Sequence, residues 1–135
     1  MTSKPVVLYV EDDPASQRVM SMLFDYVLGI PQYTIFPDSQ DFITRLERLS
    51  PQPDMIILDV HIAPHNGFEV LKMVRDHQHF SQTTVIALTA GVMPEEVDQL
   101  KEAGFDSCIS KPINPKVFPG LMDRIITGEK VWELM

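Results

Sequence analysis

Asp59 closes the apolar run Met55-Ile56-Ile57-Leu58, and Val60 follows it. A carboxylate in such surroundings is costly to desolvate unless a partner meets it. Three more acids stand together as Glu11-Asp12-Asp13, directly after the apolar stretch Val6–Val10. Thr89 ends another such run, Thr84–Thr89, and Lys111 follows the short segment Ser107–Ser110. If these segments are neighbouring strands, Glu11, Asp12 and Asp59 come within several ångströms of one another. Two unit charges about 4 Å apart repel by roughly 4 kcal/mol at an effective dielectric of about 20. The acids must therefore protonate, separate or hold a cation. A hard divalent ion with oxygen ligands answers them, and Mg²⁺ suits a site with few carboxylates and several waters. Asp13 stands before Pro14 and reads as a helix cap rather than a ligand.

Thr89 and Lys111, taken singly, are an ordinary β-former and an ordinary surface charge, and Lys111 could answer the acids as a salt bridge. Taken with Asp59 they meet a more specific need. An aspartate can accept a phosphoryl group covalently. The phosphoryl oxygens then require a metal, a hydroxyl donor and a cation around them. That chemistry accounts for a carboxylate at the end of an apolar run.

The elements that must position these residues alternate along the chain. Residues 6–10, 33–36, 55–59, 84–89 and 107–110 are short apolar or β-branched runs that suit strands, three of them apolar enough to be buried on both faces. Helical stripes lie between them. Ala15, Val19, Met22, Leu23, Tyr26 and Val27 form the first, and Phe42, Ile43, Leu46 and Leu49 the second. Phe68, Leu71 and Val74, then Val97 and Leu100, then Leu121, Met122, Ile125 and Ile126 form the others. Asp13-Pro14 and Asn114-Pro115 read as caps with proline at the first helical position, and Gly104 as a helix C′ glycine. Five strands alternating with five helices predict a doubly wound α/β domain with a five-stranded parallel sheet. In such sheets ligands bind beyond the carboxyl ends of the strands, where Glu11, Asp12, Asp59, Thr89 and Lys111 all fall.

The segments "VEDDP", "IILDV…P…NG", "ALTA" and "SKP", in that order, resemble the receiver domain of two-component response regulators. Thr89 stands 30 residues after Asp59 and Lys111 stands 52 after it, both separations typical of that family. The resemblance covers roughly residues 5–127. It implies the flavodoxin-like, CheY-like (βα)5 fold with strand order 2-1-3-4-5. It also implies Asp59 as phosphoacceptor, Thr89 as the switch hydroxyl and Lys111 as the lysine that pairs with the phosphoryl group. Asp12 would bind Mg²⁺ directly, Glu11 through water, and His61 would contribute its backbone carbonyl. The Lys111-Pro112 peptide is expected to be cis. The phosphoryl donor would be a histidine kinase or a histidine phosphotransfer protein, and the domain would be a signalling domain rather than an enzyme.

Three positions depart from the pattern. Position 108 normally carries Tyr or Phe, a ring that swings inward with the switch hydroxyl, and here it is Cys108. Pro64 lies one residue later than the family's proline. Pro119 sits inside the last helical pattern, so that helix is expected to kink or to start later than Pro115. These departures touch output more than phosphorylation.

Composition narrows the classes. The 135 residues fit one domain, read as a receiver over 1–127 with a tail over 128–135, leaving no room for a DNA-binding output domain. Output by docking to a downstream protein is expected, with a homodimer as one possibility. A net charge of −8 speaks against direct nucleic-acid or anionic-membrane binding. One cysteine excludes an internal disulfide. No signal-peptide pattern or membrane-length run is present, which points to a cytoplasmic protein. His61 and His65 read as loop histidines rather than a second metal site, and His77 and His79 as a polar helix end. The tail residues Trp132, Leu134 and Met135 could pack back, pair with another copy or begin a linker.

Other classes fit less well. A phosphatase of the haloacid-dehalogenase type also forms an aspartyl phosphate, but wants a second acid at position 61, which is His. A flavin module would present amides and hydroxyls to a phosphate in its first turn, where Glu11-Asp12-Asp13 would repel one. A receiver-like docking scaffold without phosphorylation would have no need of the intact set of acids, Thr89 and Lys111.

Overall fold

The apolar runs fold as the strands of one parallel sheet in the computed structural model, which describes residues 4–91 and 93–133. The order along the chain is β1 (Val7–Val10), α1 (Pro14–Met22), β2 (Tyr33–Phe36), α2 (Phe42–Glu47), β3 (Met55–Asp59), α3 (Gly67–Asp76), β4 (Thr84–Thr89), α4 (Pro94–Ala103), β5 (Ser107–Ser110), α5 (Phe118–Ile126) and β6 (Trp132–Glu133). The sheet order is β2-β1-β3-β4-β5-β6. The five expected strands thus stand in the order 2-1-3-4-5, and a short sixth strand joins beyond β5. No helix among the described residues is long and apolar enough to cross a membrane.

Side chains alternate across the sheet and divide the core in two. Leu8, Val10, Ile56, Leu58 and Ala87 pack under α2, α3 and α4. Val7, Tyr9, Met55, Ile57 and Leu88 pack under α1 and α5. Burying each large aliphatic side chain contributes about 1.5–3 kcal/mol. This double burial is why the central strands are uninterrupted apolar runs.

The first helix departs from its expected stripe. After Met22 the chain continues as a π-helical segment over Leu23–Leu28 that ends at Gly29, whose φ of 64° is left-handed. The buried face is Met20 of α1 with Leu23, Phe24 and Leu28 of the wider segment. Met22, Tyr26 and Val27, expected inside, are exposed.

Two boundaries are also instructive. Asn114 does not cap a helix: its Oδ1 accepts from the Lys116 backbone N–H within a turn, and α5 begins at Phe118 with Pro119 in its first turn. The helix therefore starts after Pro115, and Pro119 occupies a place where its missing N–H costs nothing. The segment expected as a tail packs back. Val131 is buried, its carbonyl accepts from the Cys108 N–H at 2.8 Å, and its N–H donates to Ser107 Oγ at 2.9 Å. Leu134 and Met135 lie outside the described residues.

Candidate functional site

Glu11 follows β1, Asp59 ends β3, Thr89 ends β4 and Lys111 follows β5, so all four arrive at the carboxyl edge of the sheet. In register, β1 and β3 are neighbours, and Asp59 lies beside Leu88, the residue before Thr89. Glu11, Asp59 and Thr89 are buried, and Asp12 is exposed. Glu11, Asp12 and Asp59 each present a carboxylate oxygen, all within 4.8 Å of one another. Among the described residues they form the acidic group that could hold a divalent cation.

Lys111 Nζ donates to Asp59 Oδ2 at 3.1 Å and pairs with Glu11 Oε1 at 3.0 Å. The ammonium thus bridges the two buried carboxylates. Burial works against its charge, but the hydrogen bonds to Glu11 and Asp59 prevail and hold its pKa above the usual lysine range. Burial pushes the Glu11 carboxyl upward; Lys111 opposes this, and the Asp59 carboxylate adds to it. Three carboxylates and one ammonium leave the site short of positive charge, which suits a further cation.

Local contacts fix each group. The Asp13 carboxylate accepts from the Ser16 N–H at 2.9 Å and from the Ser16 hydroxyl at 2.7 Å, which lowers its pKa. It caps α1, as the sequence indicates, and is not one of the three converging acids. The His61 N–H donates to Asp59 Oδ1 at 3.0 Å, turning the loop back over the carboxylate. The Gly91 N–H donates to Thr89 Oγ1 at 3.0 Å. The Lys111 N–H donates to the Thr89 carbonyl at 2.9 Å, and the Lys111–Pro112 peptide is cis, as the resemblance implies. Gly67 allows α3 to start against this loop, because a Cβ there would lie 2.7 Å from the Val60 Cα.

Several supporting residues escape a reading by motif. Ser39 pins the loop after Asp59: its hydroxyl donates to the His65 carbonyl at 2.7 Å and accepts from the His65 N–H at 2.8 Å. The capping box of Asn66 and Glu69 then opens α3, a pattern visible in "NGFE". Gln17 Nε2 donates to the Glu11 carbonyl at 2.6 Å. Tyr9, wholly buried, donates its hydroxyl to Glu11 Oε1 at 3.0 Å. Its signal was available too, since residues two apart on a strand share a face.

Comparisons with known proteins agree with this geometry. A family model described as the response regulator receiver domain matches residues 7–122. The signal transduction histidine kinase BarA of Escherichia coli is 27% identical over 126 residues, which is 93% of this chain but 13% of that protein. Hybrid signal transduction histidine kinase D of Dictyostelium discoideum is 29% identical, over 90% of this chain and 8% of its own length. The chain therefore spans a small part of these kinases. The chemotaxis response regulator CheY4 of Vibrio cholerae superimposes with a TM-score of 0.78 at 26% identity, covering 91% of this chain and 99% of that one. The receiver domain of a sensor histidine kinase from Pseudomonas aeruginosa, solved with a magnesium ion in its active site cleft, gives 0.78 at 23% identity, over 93% of this chain and all of that one. With the CheY-like strand order and the four residue types meeting at one edge, the chain belongs to the response regulator receiver family, the signalling domains of two-component phosphorelays.

Proposed function

We propose that Asp59 accepts a phosphoryl group from the phosphohistidine of a histidine kinase or histidine phosphotransfer protein. The observation that carries this reading is the buried Asp59 carboxylate held by Lys111 Nζ at 3.1 Å, with Glu11 and Asp12 beside it. A carboxylate oxygen of Asp59 attacks phosphorus, the new P–O bond forms as the P–N bond to histidine breaks, and the histidine nitrogen leaves with the electron pair. Lys111 turns from its carboxylates to a phosphoryl oxygen, and the Thr89 hydroxyl donates to another.

Glu11, Asp12, Asp59 and the His61 carbonyl suit Mg²⁺ in number and hardness. When bound, Mg²⁺ supplies the positive charge that lets carboxylates and phosphoryl oxygens share the site. The His61 N–H keeps Asp59 Oδ1 oriented, so Oδ2, the oxygen facing Lys111, is the one presented for transfer. Signalling then proceeds by docking to a downstream protein.

Intact-mass measurement after incubation with acetyl phosphate and Mg²⁺ tests the reading. One added phosphate is expected on the unaltered chain and none without Mg²⁺. Phosphate persisting at the same level on Asp59→Asn would remove the assignment.

A further inference from the structure

Tyr9 is a polar side chain in the middle of an apolar core, wholly buried and edge-on to Phe24 with ring centroids 6.4 Å apart. Among the described residues its hydroxyl donates to Glu11 Oε1, at 3.0 Å. That same oxygen pairs with Lys111 Nζ at 3.0 Å, while Glu11 Oε2 accepts from the Asp13 N–H at 3.3 Å. Glu11 is itself fully buried. A buried carboxylate that loses its donors pays its full desolvation cost. Lys111 is therefore not free to leave Glu11 unless something else stays behind.

We propose that Tyr9 is a positioning residue that keeps hold of Glu11 while Lys111 turns to the group on Asp59. This rests on the reading of Asp59 as phosphoacceptor. Strand alternation makes the arrangement possible, since Tyr9 and Glu11 point to the same side of β1. Side-chain length makes it selective. Glutamate extends its carboxylate one methylene beyond aspartate, and an aspartate at position 11 would draw the oxygen out of the hydroxyl's reach. Without the hydroxyl, Lys111 is the remaining donor on Oε1, and the site holds its own lysine back from the phosphoryl oxygens.

The test has two arms on the purified full chain. In the first, Tyr9→Phe is made in the unaltered sequence and in Glu11→Asp, and phosphate uptake from acetyl phosphate with Mg²⁺ is timed by intact mass. Uptake is expected to slow about tenfold in the unaltered sequence, the scale of one hydrogen bond to a charged group, with no further slowing in Glu11→Asp. Equal slowing in both backgrounds marks a packing effect and overturns the proposal, as does no slowing in either. The second arm needs no phosphate. Without Mg²⁺, Lys111→Met should lower Tm more in Tyr9→Phe than in the unaltered chain, because the two donors share one oxygen. Additive losses overturn that sharing. If the unaltered chain takes up no phosphate, the reading of Asp59 falls, and the unfolding arm still decides whether Tyr9 and Lys111 hold Glu11 jointly.

Discussion

Cys108 on β5 stands in register with Trp132 on β6, each at the matching position of a parallel pair. Cys108 is fully buried under the α4 side of the sheet, and the half-buried Trp132 packs against the same core. Lys101 of α4 places its ammonium 5.2 Å from the centre of the indole ring. Where the resembled family carries a ring on β5, this chain has a thiol there and a ring on the neighbouring strand. An aromatic at 108 would have to enter a filled core, which costs about 1–3 kcal/mol. Cys108→Tyr is therefore expected to lower stability by that amount in urea unfolding. Cutting the chain after Glu129 should cost about 2–4 kcal/mol, through the lost burial of Val131 and Trp132. It should also ease the tyrosine substitution. An equal cost of Cys108→Tyr in both chains would show that Trp132 does not fill that space.

The strands were legible because the central ones are buried on both faces, so their runs are apolar throughout and end where the chain meets solvent. β2, β3, β4 and β5 have the expected limits. The acids, Thr89 and Lys111 were legible because a parallel sheet delivers strand ends to one edge. The exposed side of the segment after α1 was not, because a stripe drawn at 3.6 residues per turn cannot foresee the wider π turn that buries Leu28 and exposes Val27. Nor was β6, since a two-residue strand has no periodicity to read. Asn114-Pro115 has the residue types of a cap but forms a turn, and α5 starts at Phe118 with Pro119 in its first turn.

Asp12 and Asp13 are adjacent yet have different work. Asp12 lies with Glu11 and Asp59, whereas Asp13 is committed to Ser16 at the start of α1. Asp12→Ala should weaken Mg²⁺ binding more than about tenfold, since removing one charge near a divalent ion outweighs 1.4 kcal/mol. Asp13→Ala should leave Mg²⁺ affinity near that of the unaltered chain and lower Tm by loss of the cap. Calorimetric titration of both variants decides it. Equal losses of affinity would mean that the metal-binding acids are displaced by one residue from those named.

Stability should fall on the alkaline side. Burial pushes the Cys108 thiol from its ordinary value of 9.0 up to about 11. Between those values the native state keeps a proton that the unfolded chain has released, so stability declines as pH rises. Lys111, raised by its carboxylate partners against the effect of burial, adds a further loss as pH climbs through its folded value. Cys108→Ala removes the thiol contribution and leaves that of Lys111. Urea unfolding at pH 7, 9 and 10.5 should show the unaltered chain losing about 2 kcal/mol more than the variant over this range. Parallel losses would show that the thiol is not protonated more tightly in the native state.

Lys111 and a divalent cation make competing claims on the same carboxylates. The ammonium lies 3.0 Å from Glu11 and 3.1 Å from Asp59, and both acids also belong to the group that could hold the ion. Lys111→Met leaves the two buried carboxylates facing each other without a counter-charge. The lysine side chain is 23% exposed, so the loss should fall below that of a fully buried pair, at about 1–3 kcal/mol without divalent ion. The ion should then recover more than it does in the unaltered chain. A ligand that binds only the native state stabilises it by RT ln(1 + [L]/Kd), and removing the competing ammonium tightens Kd. Tm measured across a Mg²⁺ series should therefore rise more steeply for Lys111→Met, even as phosphate uptake at Asp59 falls for want of a cation on the phosphoryl oxygens. A shallower rise in the variant would mean that Lys111 supports the ion instead of competing with it.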